Sequence, residues 1–381
     1  MKVLFLQEQP CIRSFKYAKG LLSLTNEFEL FFAYRGKTLN GIYGHGDELF
    51  EDWFRIEGDL ISSIETIAGN VRPDIIHCHN GPDTLTVAAI QALGGSVPII
   101  HDIHDLLSLR TTIYDDGLDR GELDRDRTLE EERLAIEESD GLIAVSPAIL
   151  EIVRDRYQLN ADRQLVFPNL VVGEMVPVSL GRKLSDADGR THLVYEGHLD
   201  QGRSGGHYDL FDIFTAIASR GLNIHIYPSW DNGLYRKLAE KNDFIHYHES
   251  LQPIELMSEL THYDFGWAGF NTKRNKSHAD TVLANKMVEY LAAGVPVISF
   301  PHRSQKKFIE EHGVGIIIER VDELPGRIKD PSVVDLKSRV IENRFSFTVE
   351  NSIDEVVKFY HKIAKVCQAG QRLSAQKRRY R

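Results

Sequence analysis

Leu283-Ala284-Asn285-Lys286-Met287-Val288-Glu289-Tyr290-Leu291-Ala292-Ala293-Gly294-Val295-Pro296-Val297-Ile298 reads as one helix, a glycine that ends it and a buried strand. The helical part is apolar round most of its circumference, so it belongs in an interior. Its two charges are out of place there. Lys286 stands in the first turn, where the helix dipole disfavours a cation by roughly 0.3–1 kcal/mol. The free N–H groups of that turn attract an anion, and a lysine beside them strengthens a phosphate site. Glu289, one turn later, is flanked by Met287, Val288, Tyr290, Leu291, Ala292 and Ala293, and a buried carboxylate needs a partner. Two readings stay open. Either Lys286 and Glu289 pair with each other at i, i+3, worth about 0.2–0.5 kcal/mol, or the lysine and helix terminus hold a diphosphate while the glutamate accepts both hydroxyls of a ribose.

Outward from this segment, short β-rich runs alternate with helical patterns, the mark of parallel α/β layers. Strands are expected at Val3–Leu6, Phe28–Tyr34, Ile75–Cys78, Val97–Ile100, Gly141–Val145 and Leu165–Phe167. Helices are expected at Asp83–Leu93 and Pro147–Tyr157, the second with Ser146 as N-cap and Pro147 in its first position. The pattern lapses into a polar, Gly-containing linker from Pro168-Asn169 to Gly189 and then resumes. Strands follow at Leu193–Tyr195, Asn223–Tyr227, Phe244–Tyr247, Phe265–Trp267, Val295–Phe300 and Val314–Ile318, and an amphipathic helix at Asn351–Val366. The expected domains are 1–172, 173–345, a returning helix 346–366 and a basic tail 367–381. Ligands of doubly wound sheets sit outside the carboxyl ends of the strands, so two such units imply a cleft between them.

The 381 residues, 42% hydrophobic and 27% charged, suit two globular cores. No apolar run approaches the roughly 20 residues needed to span a bilayer, and Met1–Leu6 lacks the longer apolar region and cleavage site of a signal peptide. Cys11, Cys78 and Cys367 have no pairing or metal-ligand spacing, which fits a reducing compartment and a cytoplasmic protein. A net charge of −11 argues against a nucleic-acid partner. The tail is the exception. Arg372, Lys377, Arg378, Arg379 and Arg381 stand there without an acid, either as a peripheral contact for an anionic membrane or as a solvated end.

The motif Asn-Lys-x-x-Glu-Tyr-Leu-Ala-Ala-Gly-x-Pro-Val-Ile at 285–298 is similar to the donor-site motif of the retaining glycosyltransferase family four, which has the GT-B fold of two Rossmann-like doubly wound domains with an interdomain cleft. Supporting segments follow in the family's order. Arg72-Pro-Asp-Ile-Ile-His-Cys-His resembles its "P-D-x-x-H-x-H" strand, and Glu138-Ser-Asp-Gly-Leu-Ile-Ala-Val-Ser-Pro its "A-D-x-x-I-x-V-S" strand and turn. Pro168-Asn169 matches the "P-N" before the hinge, and Leu193-Val-Tyr-Glu-Gly-His-Leu resembles the strand that opens the donor domain. Pro98-Ile-Ile-His-Asp-Ile-His-Asp-Leu resembles the strand end that carries the family's active-site histidine, which places that role on His104.

The resemblance implies transfer of a sugar, with retention, from a nucleotide-diphosphate sugar to a glycan, lipid-linked or small-molecule acceptor. It assigns the reaction to His104, Asp102, Lys286 and Glu289, with Asp102 and Asp105 orienting His104 at the cleft mouth. Donor binding falls to Asn285, Lys286, Glu289, Arg203, His198, Gly197 and Asn169. Departures are as telling. The first strand-to-helix turn, usually Gly-rich, reads Gln9-Pro10-Cys11-Ile12-Arg13, in which Arg13 either supplies charge or, as arginines usually do, lies at the surface. The donor domain offers His198, then Arg203 within Gln201-Gly-Arg-Ser-Gly-Gly-His207, where the family has an arginine and a lysine; glycines beside an arginine suit a phosphate clamp. A second acid eight residues before Glu289 is replaced by Thr281.

No Asp-x-Asp pair or His/Cys cluster stands where a metal would be expected, so the expected transfer uses no metal and no cofactor, with cations and N–H donors stabilising the leaving diphosphate. Tyr43–Phe54 and Arg110–Arg127 are candidate acceptor loops. The rival readings are a sugar-nucleotide epimerase or hydrolase on the same fold, and a non-catalytic nucleotide-sugar binder.

Overall fold

The computed structural model describes residues 1–24, 27–110, 125–159 and 161–379. Most of the candidate loop 110–127 and the tail residues from 380 onward lie outside this set, and of the side chains after Cys367 nothing is described. The contacts fall into two compact units. The first holds Met1–Ser108, Asp124–Pro168 and Val349–Arg381; the second is built on Asn169–Thr348.

In the first unit the strands are β1 (Lys2–Gln7), β2 (Glu29–Tyr34), β3 (Asp52–Arg55), β4 (Ile75–His79), β5 (Ile99–Ile103), β6 (Gly141–Ala144) and β7 (Gln164–Val166). In the second they are β8 (His192–Gly197), β9 (Asn223–Pro228), β10 (Ile245–Tyr247), β11 (Phe265–Trp267), β12 (Val297–Ser299) and β13 (Gly315–Ile317). The sheet orders are β3-β2-β1-β4-β5-β6-β7 and β10-β9-β8-β11-β12-β13, and every pairing is parallel. In each sheet the chain works outward from its first strand, then returns to add its fourth strand on that strand's other side. Each unit is therefore doubly wound, with a switch point at β1/β4 and at β8/β11.

Central strands covered on both faces read as unbroken apolar runs, and β4, β5 and β6 are buried at every position. β3 was not foreseen; it falls in the aromatic stretch expected to be an acceptor loop. As an edge strand its Asp52 and Arg55 face water while Trp53 stacks on Phe32 at 4.7 Å. Around the second sheet, Leu193, Phe214, Ile224, Tyr235, Phe265, Trp267 and Ile298 make one buried cluster. The last helix, Ile353–Arg379, runs on past the expected end at Val366. It packs Ile353 against Gly20, beside Val349 of the turn that precedes it, and Tyr360 into the first unit's interior. Among the described residues no helix is long and apolar enough to cross a membrane.

Candidate functional site

In the second unit the decisive segment folds as helix Asn285–Ala292, Gly294 in the left-handed region at φ +74°, and β12. Tyr290 anchors this helix, its ring lying flat where Gly266 of β11 has no side chain and its hydroxyl accepting a hydrogen bond from the Glu196 N–H at 3.0 Å. The N-cap is Ala284, among the poorest capping residues, and no side chain caps the first turn. Lys286 is 7% exposed. Its Nζ stands 5.1 Å from the ring centre of Tyr195, 5.5 Å from that of Tyr208 and 5.7 Å from that of Phe270. Tyr195 lies on β8 and Phe270 follows β11, so the ammonium hangs over the β8/β11 switch point.

Gly197 ends β8 at φ +116°, and a Cβ there would come within 3.4 Å of Nζ. The positive φ favours glycine there, and a larger residue would also crowd the end of the lysine.

Lys286 and Glu289 do not pair. Among the described residues no carboxylate lies within ion-pair reach of Nζ, and the half-buried Glu289 carboxylate makes no hydrogen bond. Of the two readings of this pair, the one in which Lys286 and Glu289 satisfy each other is therefore excluded. Burial lowers the Lys286 pKa against the opposing pull of Glu196 and Glu289. Cation–π contacts contribute about 0.5–2 kcal/mol each, whereas taking an ammonium out of water costs several. A bound anion would reverse that imbalance. Glu196, buried and next to Gly197, and the three rings escaped the sequence reading because they come from separate segments.

The remaining donor-side residues are placed differently. His198 is one-third exposed, its Nε2 4.0 Å from Asp200 and its ring against Tyr208 at 5.0 Å. Arg203 is 43% exposed and already committed to carboxylates, Nε to Asp209 at 3.2 Å and Nη2 to Asp212 at 2.6 Å, with its guanidinium over Phe211. Asn285 opens the helix, Asn169 begins the second unit, and Thr281 is buried, its hydroxyl donating to the His278 carbonyl.

In the first unit, His77 and His79 project from the same face of β4, as residues two apart on a strand must, and their rings stack at 4.5 Å. Asp102 lies beside His79 in the β4/β5 register. Arg13, far from being at the surface, is 2% exposed and grips Asp102 bidentately, Nε to Oδ2 at 2.8 Å and Nη2 to Oδ1 at 3.0 Å. Nη2 also donates to Tyr17 Oη and to the Phe167 carbonyl. The burial is possible because every charge has a partner. Burial alone would raise the Asp102 carboxyl, but Arg13 and His77 hold it well below the usual range. His77 Nε2 donates to Asp102 at 3.2 Å, and its Nδ1 accepts from the Tyr360 hydroxyl of the last helix.

Asp102 is thus wholly buried beneath His104 rather than beside it at an opening. His104 Nε2 lies 3.9 Å from Asp102 Oδ2 and 3.0 Å from His79 Nδ1, and its side chain is one-fifth exposed. Burial, offset by Asp102, pulls its pKa down to about 4, so the ring is neutral near pH 7. Ligand atoms of His77, His79 and Asp102 fall within 4.8 Å of one another, a spacing a metal could use. The Arg13 guanidinium already supplies the cation that Asp102 needs.

The fold and the family models agree. Residues 41–172 match the model described as Glycosyltransferase Family 4, and residues 213–347 match Glucosyltransferase 3-like, C-terminal domain. No curated protein matches the sequence. Among solved structures, sucrose-phosphate synthase from Thermosynechococcus elongatus superposes with TM-score 0.69 at 13% identity, covering 96% of this chain and 100% of its own. HepE from Anabaena in complex with UDP gives 0.66 at 14%, covering 97% and 100%. UDP-GlcNAc 2-epimerase from Neisseria meningitidis, bound to UDP-GlcNAc, gives 0.57 at 16%, covering 95% and 100%. Each unit carries a glycosyltransferase-family domain, and the chain is a glycosyltransferase of the GT-B fold.

Proposed function

We propose that the chain transfers a sugar, with retention and without a metal, from a nucleotide-diphosphate sugar to a glycan, lipid-linked or small-molecule acceptor in the cytoplasm. The observation that carries this reading is the buried Lys286 ammonium, with no carboxylate of a described residue in ion-pair reach, beside a helix start that no described side chain caps. A diphosphate supplies the missing anion to both. Glu289, one turn on and without a hydrogen bond to any described residue, takes the ribose hydroxyls, with Asn285 and Gly197 shaping the same pocket. The diphosphate carries more charge as it leaves than in the intact donor, so Lys286 and the helix N–H groups stabilise the transition state more than the ground state.

Arg203 joins on donor binding. Exposed ion pairs are worth roughly 0–1 kcal/mol, so its release from Asp212 toward a phosphate costs little. His198 and Asn169 complete the donor side, His104 acts at the sugar, and Asp102 holds the histidines in place. The basic tail supplies a peripheral contact with anionic lipid when the acceptor is membrane-bound. Support for the donor class also comes from HepE, seen with UDP and with UDP-glucose.

Titration calorimetry with UDP, GDP and ADP tests the site. One nucleotide binds, and Lys286→Ala and Glu289→Ala each weaken it at least tenfold, about 1.4 kcal/mol. Unchanged affinity for every nucleotide in both variants removes the assignment. Because epimerases share this fold, the donor is also incubated alone. A transferase leaves it largely intact, whereas conversion to an epimer establishes the rival reading.

A further inference from the structure

The ring-to-ring contact between His79 Nδ1 and His104 Nε2, at 3.0 Å, is a hydrogen bond between two imidazoles. When both rings are neutral it holds one proton, and the two ways of placing that proton are not equivalent. With the proton on His104 Nε2, His79 Nδ1 accepts, and the His79 proton must sit on Nε2. That atom is buried and has no hydrogen-bond partner among the described residues. A buried N–H left unmade costs about 1–3 kcal/mol. With the proton on His79 Nδ1, the atom facing the protein interior is a bare acceptor, and no donor is stranded. Asp102 Oδ2 favours the same choice, lying 3.6 Å from His79 Nδ1 and 3.9 Å from His104 Nε2. Arg13 keeps that carboxylate charged and fixed by two hydrogen bonds.

We propose that His79, backed by Asp102, is a positioning residue that locks His104 in the Nδ1–H tautomer. His104 Nε2 is then occupied as an acceptor. Its Nδ1 makes no hydrogen bond to a described residue, and the ring is partly exposed. His104 therefore offers a bound substrate a hydrogen-bond donor, suited to a hydroxyl or phosphate oxygen, and does not serve as a base through that nitrogen. The second histidine of the His77-Cys78-His79 strand end is there to set a proton, not to touch substrate. The consequence for the reaction rests on the function proposed above; the tautomer itself does not.

Long-range proton–nitrogen correlation spectra of the full chain, labelled with nitrogen-15 histidine, read each tautomer directly. His79 and His104 are expected as Nδ1–H in the unliganded protein. His79→Asn, whose amide N–H stands near the Nδ1 position, keeps His104 as Nδ1–H. His79→Leu removes the donor and shifts His104 toward Nε2–H, with a fall in kcat of roughly tenfold that His79→Asn largely restores and little change in KM. His104 found as Nε2–H in the unsubstituted chain overturns the inference, as does a tautomer that His79→Leu leaves untouched. Should His79→Leu fail to fold, the unsubstituted chain and His79→Asn still decide. Because the tautomer is read without substrate, absence of sugar transfer counts against the proposed function alone, and the wrong tautomer against this inference alone.

Discussion

Arg13 and Lys286 are both cations taken out of water, yet their surroundings call for opposite responses to removal. Arg13 is one half of a buried, bidentate ion pair. Arg13→Ala leaves Asp102 buried and uncompensated and is expected to destabilise the fold by about 3–5 kcal/mol in urea unfolding. The double change Arg13→Met with Asp102→Leu recovers much of that loss, because no charge is stranded. Lys286 has no such partner among the described residues, so its replacement leaves the melting temperature of the unliganded protein level or raised. The difference also explains what could be read from sequence. Lys286 was legible because its place in a helix start inside an apolar stretch is a local conflict. Arg13 was not, because its partner is 89 positions away, on strand β5. Nothing near Arg13 distinguishes it from the many arginines that begin a helix and lie in solvent.

At the scale of elements, the helix Asn285–Ala292 reaches its position through one glycine. A Cβ on Gly266 would stand 2.1 Å from the Tyr290 ring, so Gly266→Ala must push the helix off β11. The expected cost is about 1–3 kcal/mol of stability, with weaker nucleotide binding, both readable in one calorimetric series. Strands β8 to β10 carry a second device. His192 Nδ1 meets His225 Nε2 at 2.9 Å, and His225 Nδ1 meets His248 Nε2 at 3.0 Å. Burial first, then the neighbouring histidines, drive His225 down to about 2. The unfolded chain binds that proton near pH 6.5 and the folded one does not, so stability falls as pH drops from 6.5. His225 alone contributes a slope of about 1.4 kcal/mol per pH unit. Melting curves between pH 7 and pH 4.5 should show it, and His225→Phe should flatten them. Strands buried on both faces were legible from their apolar runs. β3 was not, since a four-residue edge strand with charged ends has no such run, and only its pairing with β2 makes it a strand.

Across the whole molecule, the main segment of the second unit, Asn169–Thr348, is an insertion in the first. Met1–Ser108, Asp124–Pro168 and the residues after Thr348 belong together. The two ends of the insertion also lie side by side, with Val171 bridged to Thr348 and its N–H donating to the Phe347 carbonyl at 3.1 Å. Domains whose ends meet tolerate excision. Residues 169–348 produced alone are therefore expected to fold cooperatively, seen as a single circular-dichroism transition, and to bind the same nucleotide as the full chain. A fragment that melts without a transition refutes this. Such nesting also has a consequence in time. Tyr360, which closes the hydrogen bond on His77 beneath the histidine pair, leaves the ribosome only after the entire inserted unit, a wait of tens of seconds at roughly 5–20 residues per second. A chain truncated anywhere in that interval carries an unfinished histidine network, so the first unit closes last, after the unit that holds Lys286 has already been made.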